Sequence, residues 1–219
     1  EPQWIQEYIT PGQETVDKEI SDYSGRIKKA KVGLEKSEKE RTKVRRPLKL
    51  LYGTGIDLEE IVWDVLEAVE AKVERPHNSS DEDGWISVRI GNYVNRGVLE
   101  IKGTRNNQFN KKGIRQLGEW IAKKTAEDGK QYKGIFIGND SSDKPIEERE
   151  HPFSPDFKKS AEILKFCCLR TEDLYKIYLA KSSGKFDAAA FWSDVFGTNG
   201  ILDVDKYFSG TIPKGNYSS

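Results

Sequence analysis

The sequence has no methionine, only two cysteines and two histidines, and no long apolar run. Each shortage excludes something. Cys167 and Cys168 are adjacent, which is poor geometry for a disulfide, and two sulfurs cannot enclose a zinc ion. Without a disulfide framework, an intracellular, reducing compartment, the cytoplasm, is expected. His77 lies in a polar stretch and His151 beside a proline, neither near a second ligand, so both read as structural or solvated. Apolar stretches such as 134–137 are far too short to span a bilayer. The N-terminal Glu1-Pro2-Gln3-Trp4 has no basic region and no apolar run, so it is not a signal peptide. A chain that starts with glutamate and holds no methionine is expected to be part of a larger protein. The turn Gly53-Thr54-Gly55 lacks a following Gly-Lys-Ser/Thr, so no nucleotide-binding loop is present.

What remains is a polar chain of 219 residues, one third of them charged, with a mean hydropathy of -0.72. That length buries a core without a disulfide or structural metal. The 36 basic and 36 acidic residues cancel, which by itself argues against a nucleic-acid partner. Their distribution argues the other way. Eleven Lys/Arg stand against three Asp/Glu from Arg26 to Lys49, and nine against three from Lys102 to Lys133. Acids gather in 57–74, 81–83 and 147–150. Such segregation suits a basic groove around an acidic pocket.

Residues 1–46 form an N-terminal tail and a long helical arm. In the arm Val16, Ile20, Tyr23, Ile27, Ala30 and Leu34 recur every three or four residues, a narrow seam suited to a coiled coil or to packing on the main domain. Pro47 ends it. Residues 47–196 form the main domain and 197–219 a C-terminal tail, disordered from Thr211. In the main domain Asp57, with Glu60 three residues on, reads as the N-cap of a helix over 57–70. Leu58, Ile61, Val62, Val65, Leu66 and Val69 line one face of that helix. Residues 85–90 and 98–103 alternate as an antiparallel strand pair around turn residues. A helix over 112–128, a strand over 132–138, a helix over 157–165, a strand over 166–169 and helices over 171–181 and 187–196 follow. The sum is an α/β fold, a mixed sheet flanked by helices.

The chemistry concentrates in Gly97-Val98-Leu99-Glu100-Ile101-Lys102-Gly103. Alternation sends Leu99 and Ile101 to one face, Glu100 and Lys102 to the other. Charges inside an apolar strand need a partner or a metal. Asp83, just before the preceding strand, is the second carboxylate that hairpin pairing brings close. Two carboxylates and a strand carbonyl suit Mg²⁺ or Mn²⁺, with Asp83 and Glu100 as metal ligands. Lys102 beside them can orient an attacking water or stabilise charge on a phosphate. Such a site would hydrolyse phosphodiesters. The pattern Asp/Glu-x-Lys also occurs at Glu70, Asp128 and Asp156, but only the copy at Glu100 lies in an apolar strand. An exposed edge strand carrying a surface ion pair is the plainer reading.

The order Leu58-Glu59, Glu82-Asp83, Glu100-Ile101-Lys102-Gly103, then Arg115-Gln116-Leu117, resembles the PD-(D/E)XK nuclease superfamily, the restriction-endonuclease-like fold. Phe136-Ile137-Gly138-Asn139, 145–149 and 169–175 resemble bacterial and archaeal members of unassigned substrate. The resemblance covers about 48–196. It implies a restriction-endonuclease-like mixed β-sheet flanked by helices, here with an N-terminal helical arm, and a Mg²⁺- or Mn²⁺-dependent nuclease with DNA as the expected substrate. No Pro precedes Asp83, a departure the loose first motif tolerates. The superfamily often adds an acid from the first core helix. Glu59 lies about 80° from the centre of the apolar stripe, nearer than Glu60, Asp64 or Glu67, and is the candidate. Gln116, one face over from the stripe of its helix, is the candidate polar residue facing the catalytic pocket. Arg105, Lys111, Lys112 and Arg115 are the candidate nucleic-acid contacts. Two other readings stay open: an inactive nuclease-fold module that binds nucleic acid or a protein, and an interaction domain whose N-terminal helix makes a homodimer.

Overall fold

The computed structural model describes residues 2–76, 83–105, 108–109, 111–184, 186–208 and 210–213. The predicted environments of His77, of the turn at 78–80 and of the terminal residues 214–219 lie outside them. The chain divides into two compact units at Arg46 and Pro47. The first holds one continuous helix, α1 (Gln13–Arg45), none of whose residues is buried. Its length follows from a run of strong helix formers without proline.

The second unit opens with a short helical stretch, α2 (Lys49–Tyr52), and the turn 53–55, which feeds α3 (Ile56–Ala68). The expected cap at Asp57 is corrected here. Gly55 occupies the cap position with a positive φ of 57°, and its carbonyl accepts from Leu58 and Glu59 N–H at 2.9 and 3.1 Å. Glycine adopts that backbone without a Cβ clash, so the helix starts one residue before Asp57. Asp57 pairs instead with Lys49.

Then follow β1 (Lys72–Glu74), β2 (Trp85–Ile90), β3 (Tyr93–Gly103), α4 (Lys111–Asp128), β4 (Lys133–Asn139), α5 (Pro155–Ile163), β5 (Cys167–Arg170), α6 (Thr171–Ser182), α7 (Ala188–Gly197) and β6 (Gly200–Ile201). The six strands lie in sequence order in one sheet. β1, β2 and β3 pair antiparallel, and β3 to β6 pair parallel. β3 is therefore the strand at which the sheet changes sense. β1 went unforeseen because its three residues, mostly exposed, carry no periodic signal.

Period-two alternation sorts the strands onto two cores. Leu99, Ile101, Ile135, Ile137 and Leu169 face one, shared with α3, α6 and α7. Val98, Phe136 and Cys168 face the other, filled by Phe109, Phe153, Phe157 and Phe166 under α4 and α5. The expected boundary at 196 is also corrected. β6 adds to the sheet beside β5, and Leu202 and Val204 are buried in the first core, so the body continues past 200. A two-residue strand is too short to show alternation in the sequence.

Glycines let the phenylalanine core close on the sheet. A Cβ on Gly138 would stand 2.4 Å from Phe109 Cε2 and 3.0 Å from Phe136 Cε1. Gly138→Ala is therefore expected to overpack this layer and cost about 1–3 kcal/mol. A urea midpoint equal to wild type would contradict that packing argument.

Candidate metal-dependent active site

Glu100 and Lys102 project from the C-terminal half of β3 onto the Val98 face, as alternation predicted. Glu100 is 0 % exposed. Lys102 Nζ lies 2.8 Å from Glu100 Oε1 and 3.8 Å from Asp83 Oδ2. One ammonium thus stands between two carboxylates, which brings together the three residues singled out from the sequence. Glu100 Oε1 meets only the Lys102 ammonium, and Oε2 has no hydrogen-bond partner among the described residues.

Asp83 is fixed from both ends. Its Oδ2 accepts from Ile101 N–H at 2.6 Å, and its carbonyl accepts from Trp63 Nε1 at 2.7 Å. Gly84 follows with φ 122°, and its carbonyl accepts from Leu99 N–H at 2.8 Å, continuing the β2–β3 ladder toward Asp83. The positive φ favours glycine, and a Cβ there would stand 3.0 Å from the Glu74 carbonyl oxygen. Trp63 is a site residue that the sequence reading missed. The one available signal was an indole N–H on a buried helix face, a donor that needs an acceptor.

The electrostatics follow from burial. Desolvation, the Asp83 charge and, more weakly, Glu59 push the Glu100 carboxyl from 4.5 up to about 7, against the pull of Lys102. Burial raises Asp83 as well, opposed by Lys102 and by the Ile101 N–H. Burial draws Lys102 down, but Asp83 and Glu100 outweigh it and hold the ammonium above the ordinary lysine value. Glu59, half-buried in the first turn of α3, is raised by burial and by the Asp83 charge, and is lowered by Lys102. It therefore sits within electrostatic reach of the cluster.

Among the described residues, no group of three or more His, Cys, Asp or Glu is arranged to hold a metal ion. Asp83 and Glu100 offer two carboxylates, which suits a hard cation that keeps several waters and completes its shell from a substrate. The unpartnered Oε2 of a fully buried Glu100 fits such an ion, because Lys102 meets only Oε1 and a buried carboxylate oxygen without a partner is costly.

Gln116 and Lys112 line the same groove as Lys102, with Thr104, Gln108, Phe109, Gly113 and Phe136; its volume is about 530 Å³. The other basic candidates lie elsewhere. Lys111 pairs with Asp156 at 3.2 Å and Arg115 with Glu119 at 3.2 Å, both on the exposed surface, while Arg105 is exposed beyond β3. His151 Nδ1 accepts from Phe153 N–H at 3.3 Å and stays apart from the cluster.

A mixed six-stranded sheet flanked by helices on both faces is the restriction-endonuclease-like fold, and the solved structures agree with that architecture. The chain is similar to restriction endonuclease FokI, with a TM-score of 0.54 and 11% identity over 71% of this chain and 30% of that one. It is equally similar to FokI bound to DNA, with a TM-score of 0.55 and 11% identity over 72% of this chain and 30% of the other. The match thus spans under a third of the FokI chain. No protein-family model matches the sequence, and no curated protein matches it. No described helix is long and apolar enough to cross a membrane.

Proposed function

We propose that this chain is a divalent-metal-dependent nuclease module that hydrolyses phosphodiester bonds of DNA. The observation that carries this reading is the wholly buried Glu100, one oxygen of which meets the Lys102 ammonium while Oε2 has no partner among the described residues, with Asp83 on the same ammonium. A buried carboxylate oxygen left without a partner is costly, and a cation would satisfy it. The nuclease-like fold supports the reaction class, and the DNA-bound neighbour supports the substrate.

Asp83 and Glu100 would hold Mg²⁺ or Mn²⁺, which when bound lowers the pKa of water and neutralises phosphate charge. The chain's own residues do the rest. Ile101 N–H fixes the Asp83 carboxylate, and Trp63 holds the Asp83 backbone carbonyl. Lys102, held protonated between two carboxylates, acts as a fixed positive charge rather than a base. It orients the nucleophilic water and faces the charge that develops on the phosphoryl oxygens. Glu59 adds negative potential from α3. Gln116 and Lys112 flank the groove by which a phosphodiester strand approaches, and Arg105 adds positive charge outside it, while Lys111 and Arg115 would exchange Asp156 and Glu119 for phosphates. We place the activity in the cytoplasm, with pairing through α1 as a route to a homodimer.

The experiment is cleavage of single- and double-stranded DNA and RNA with Mn²⁺, at several salt concentrations. Metal-dependent cleavage of DNA is expected, with binding that weakens as salt rises. Retained salt-sensitive binding with no cleavage of any substrate would replace this reading with the inactive binding module.

A further inference from the structure

The C-terminal end of α2 leaves two neighbouring carbonyls, those of Leu51 and Gly53, to be satisfied from outside the helix. One pair of side chains does this. Arg149 Nη2 donates to the Leu51 carbonyl at 2.5 Å and Asn139 Nδ2 to the Gly53 carbonyl at 3.0 Å. Arg149 Nη1 also donates to Asn139 Oδ1 at 3.2 Å, and its Nε donates to the Lys144 carbonyl at 3.0 Å. Each nitrogen of this guanidinium thus donates to an acceptor of the chain, and both polar atoms of the Asn139 amide, which is 1 % exposed, are engaged. Bonds of this kind tie separate segments together.

What they hold is the turn 53–55, and that turn lies against the active strand. Asn139 is the last residue of β4 and pairs in register with Gly103, the residue after Lys102. A Cβ on Gly103 would stand 2.9 Å from both the Gly53 carbonyl oxygen and Thr54 Cα. On its other side the turn ends at Gly55, whose carbonyl accepts the Glu59 N–H. A continuous set of hydrogen bonds and close contacts therefore runs from Arg149 and Asn139 through the turn to the helix start that carries Glu59.

We propose that Asn139 and Arg149 form a bracket that sets where Glu59 stands relative to Asp83, Glu100 and Lys102, so that Asn139 is a positioning residue for the metal site. The inference rests on the nuclease reading. It assigns a task to the polar end of β4, and it makes Gly103 part of the same device. Without the Gly53 bond the turn loses its tie to the sheet, and the first turn of α3 is free to shift away from the carboxylates.

The test is a double-mutant cycle read by Mn²⁺ titration calorimetry on the full chain, with thermal unfolding confirming that each variant is folded. Residues that support ligands from outside the coordination shell commonly contribute about tenfold to metal affinity. Glu59→Gln alone and Asn139→Ala alone are each expected to weaken Mn²⁺ by about tenfold. Together they should weaken it little more than either does, because the second change removes a contribution already lost. Gly103→Ala, which displaces the turn by bulk and leaves the Asn139 side chain itself in place, should mask Glu59→Gln in the same way; it supplies the cycle if Asn139→Ala does not fold. Losses that multiply to about a hundredfold, or an Asn139→Ala variant that binds Mn²⁺ like wild type, would overturn the bracket while leaving the metal site standing. A wild-type chain that binds no Mn²⁺ would instead remove the metal-site reading, and the bracket with it.

Discussion

Lys102→Ala should lower DNA cleavage by about 10²–10³ while leaving folding and DNA binding nearly unchanged, the usual loss for one preorganised charge stabiliser. The lysine is more than a third exposed and contributes little to either core, so its removal opens no cavity there. Its ammonium is the one positive charge placed within 4 Å of both Asp83 and Glu100 in the described structure. Because those carboxylates hold it above the ordinary lysine value, it stays charged across the neutral range, and the effect should not be recovered by raising the pH. Lys102→Arg should recover little, since a planar fork cannot take the position of a compact ammonium beside a buried oxygen. Single-turnover cleavage with Mn²⁺ is the measurement. Equal rates in wild type and Lys102→Ala would show that the observed activity belongs to a contaminant.

The second large effect is expected at Glu100, where activity and stability should move in opposite directions. Glu100→Gln removes one of two metal-binding charges, so cleavage should fall below detection. The same change should stabilise the metal-free chain above pH 7 by about 1–3 kcal/mol, because ionising Glu100 there works against its raised pKa, a cost a neutral Gln avoids, while half-exposed Lys102 keeps Asp83 as its partner. The sign follows from linkage. The folded pKa of Glu100, about 7, lies above the ordinary value of 4.5, so the folded chain holds this proton more tightly than the unfolded chain. The stability this group contributes is complete below pH 4.5 and is lost as the pH rises through 7. Wild type should therefore fall behind Glu100→Gln over that window, and Mn²⁺ should narrow the gap by binding the ionised form. Unfolding midpoints at pH 5 and pH 8, with and without a chelator, measure it. A variant less stable than wild type at pH 8 would mean that Glu100 serves the fold as a satisfied ion pair.

Much of this site was legible because charge is conspicuous in an apolar strand. Glu100 and Lys102 stand out between Leu99 and Ile101, and strand alternation then dictates that they share a face. The helix over 56–68 announced itself by its apolar spacing, and that spacing singled out Glu59. Other parts are set by contacts between residues distant in sequence. Nothing local tells that Trp63 donates to Asp83, or that Asn139 and Arg149 hold the carbonyls of α2. Those bonds join segments 20 and 86 residues apart, or more, and hydrogen-bond partners carry no periodicity. Asp57 misled because its side chain suits a cap, but Gly55 offered the backbone a better one. β6 was missed because it comes after a helix whose end resembles a domain boundary, and two residues show no alternation.

The geometry of β3 also separates two ends of the molecule. Its pairing with β2 begins at Ile90 and Tyr93, across the exposed turn Gly91-Asn92. Lys102 stands near the opposite end of the strand, roughly 30 Å away at 3.3–3.4 Å per residue. Chain added or cut at Gly91-Asn92 lies where a frayed hairpin tip costs little, whereas the same change near residue 104 falls beside the groove. The hairpin tip is thus the natural place to graft a partner domain, or to open the chain in a circular permutant, without disturbing the chemistry at the other end of the same strand.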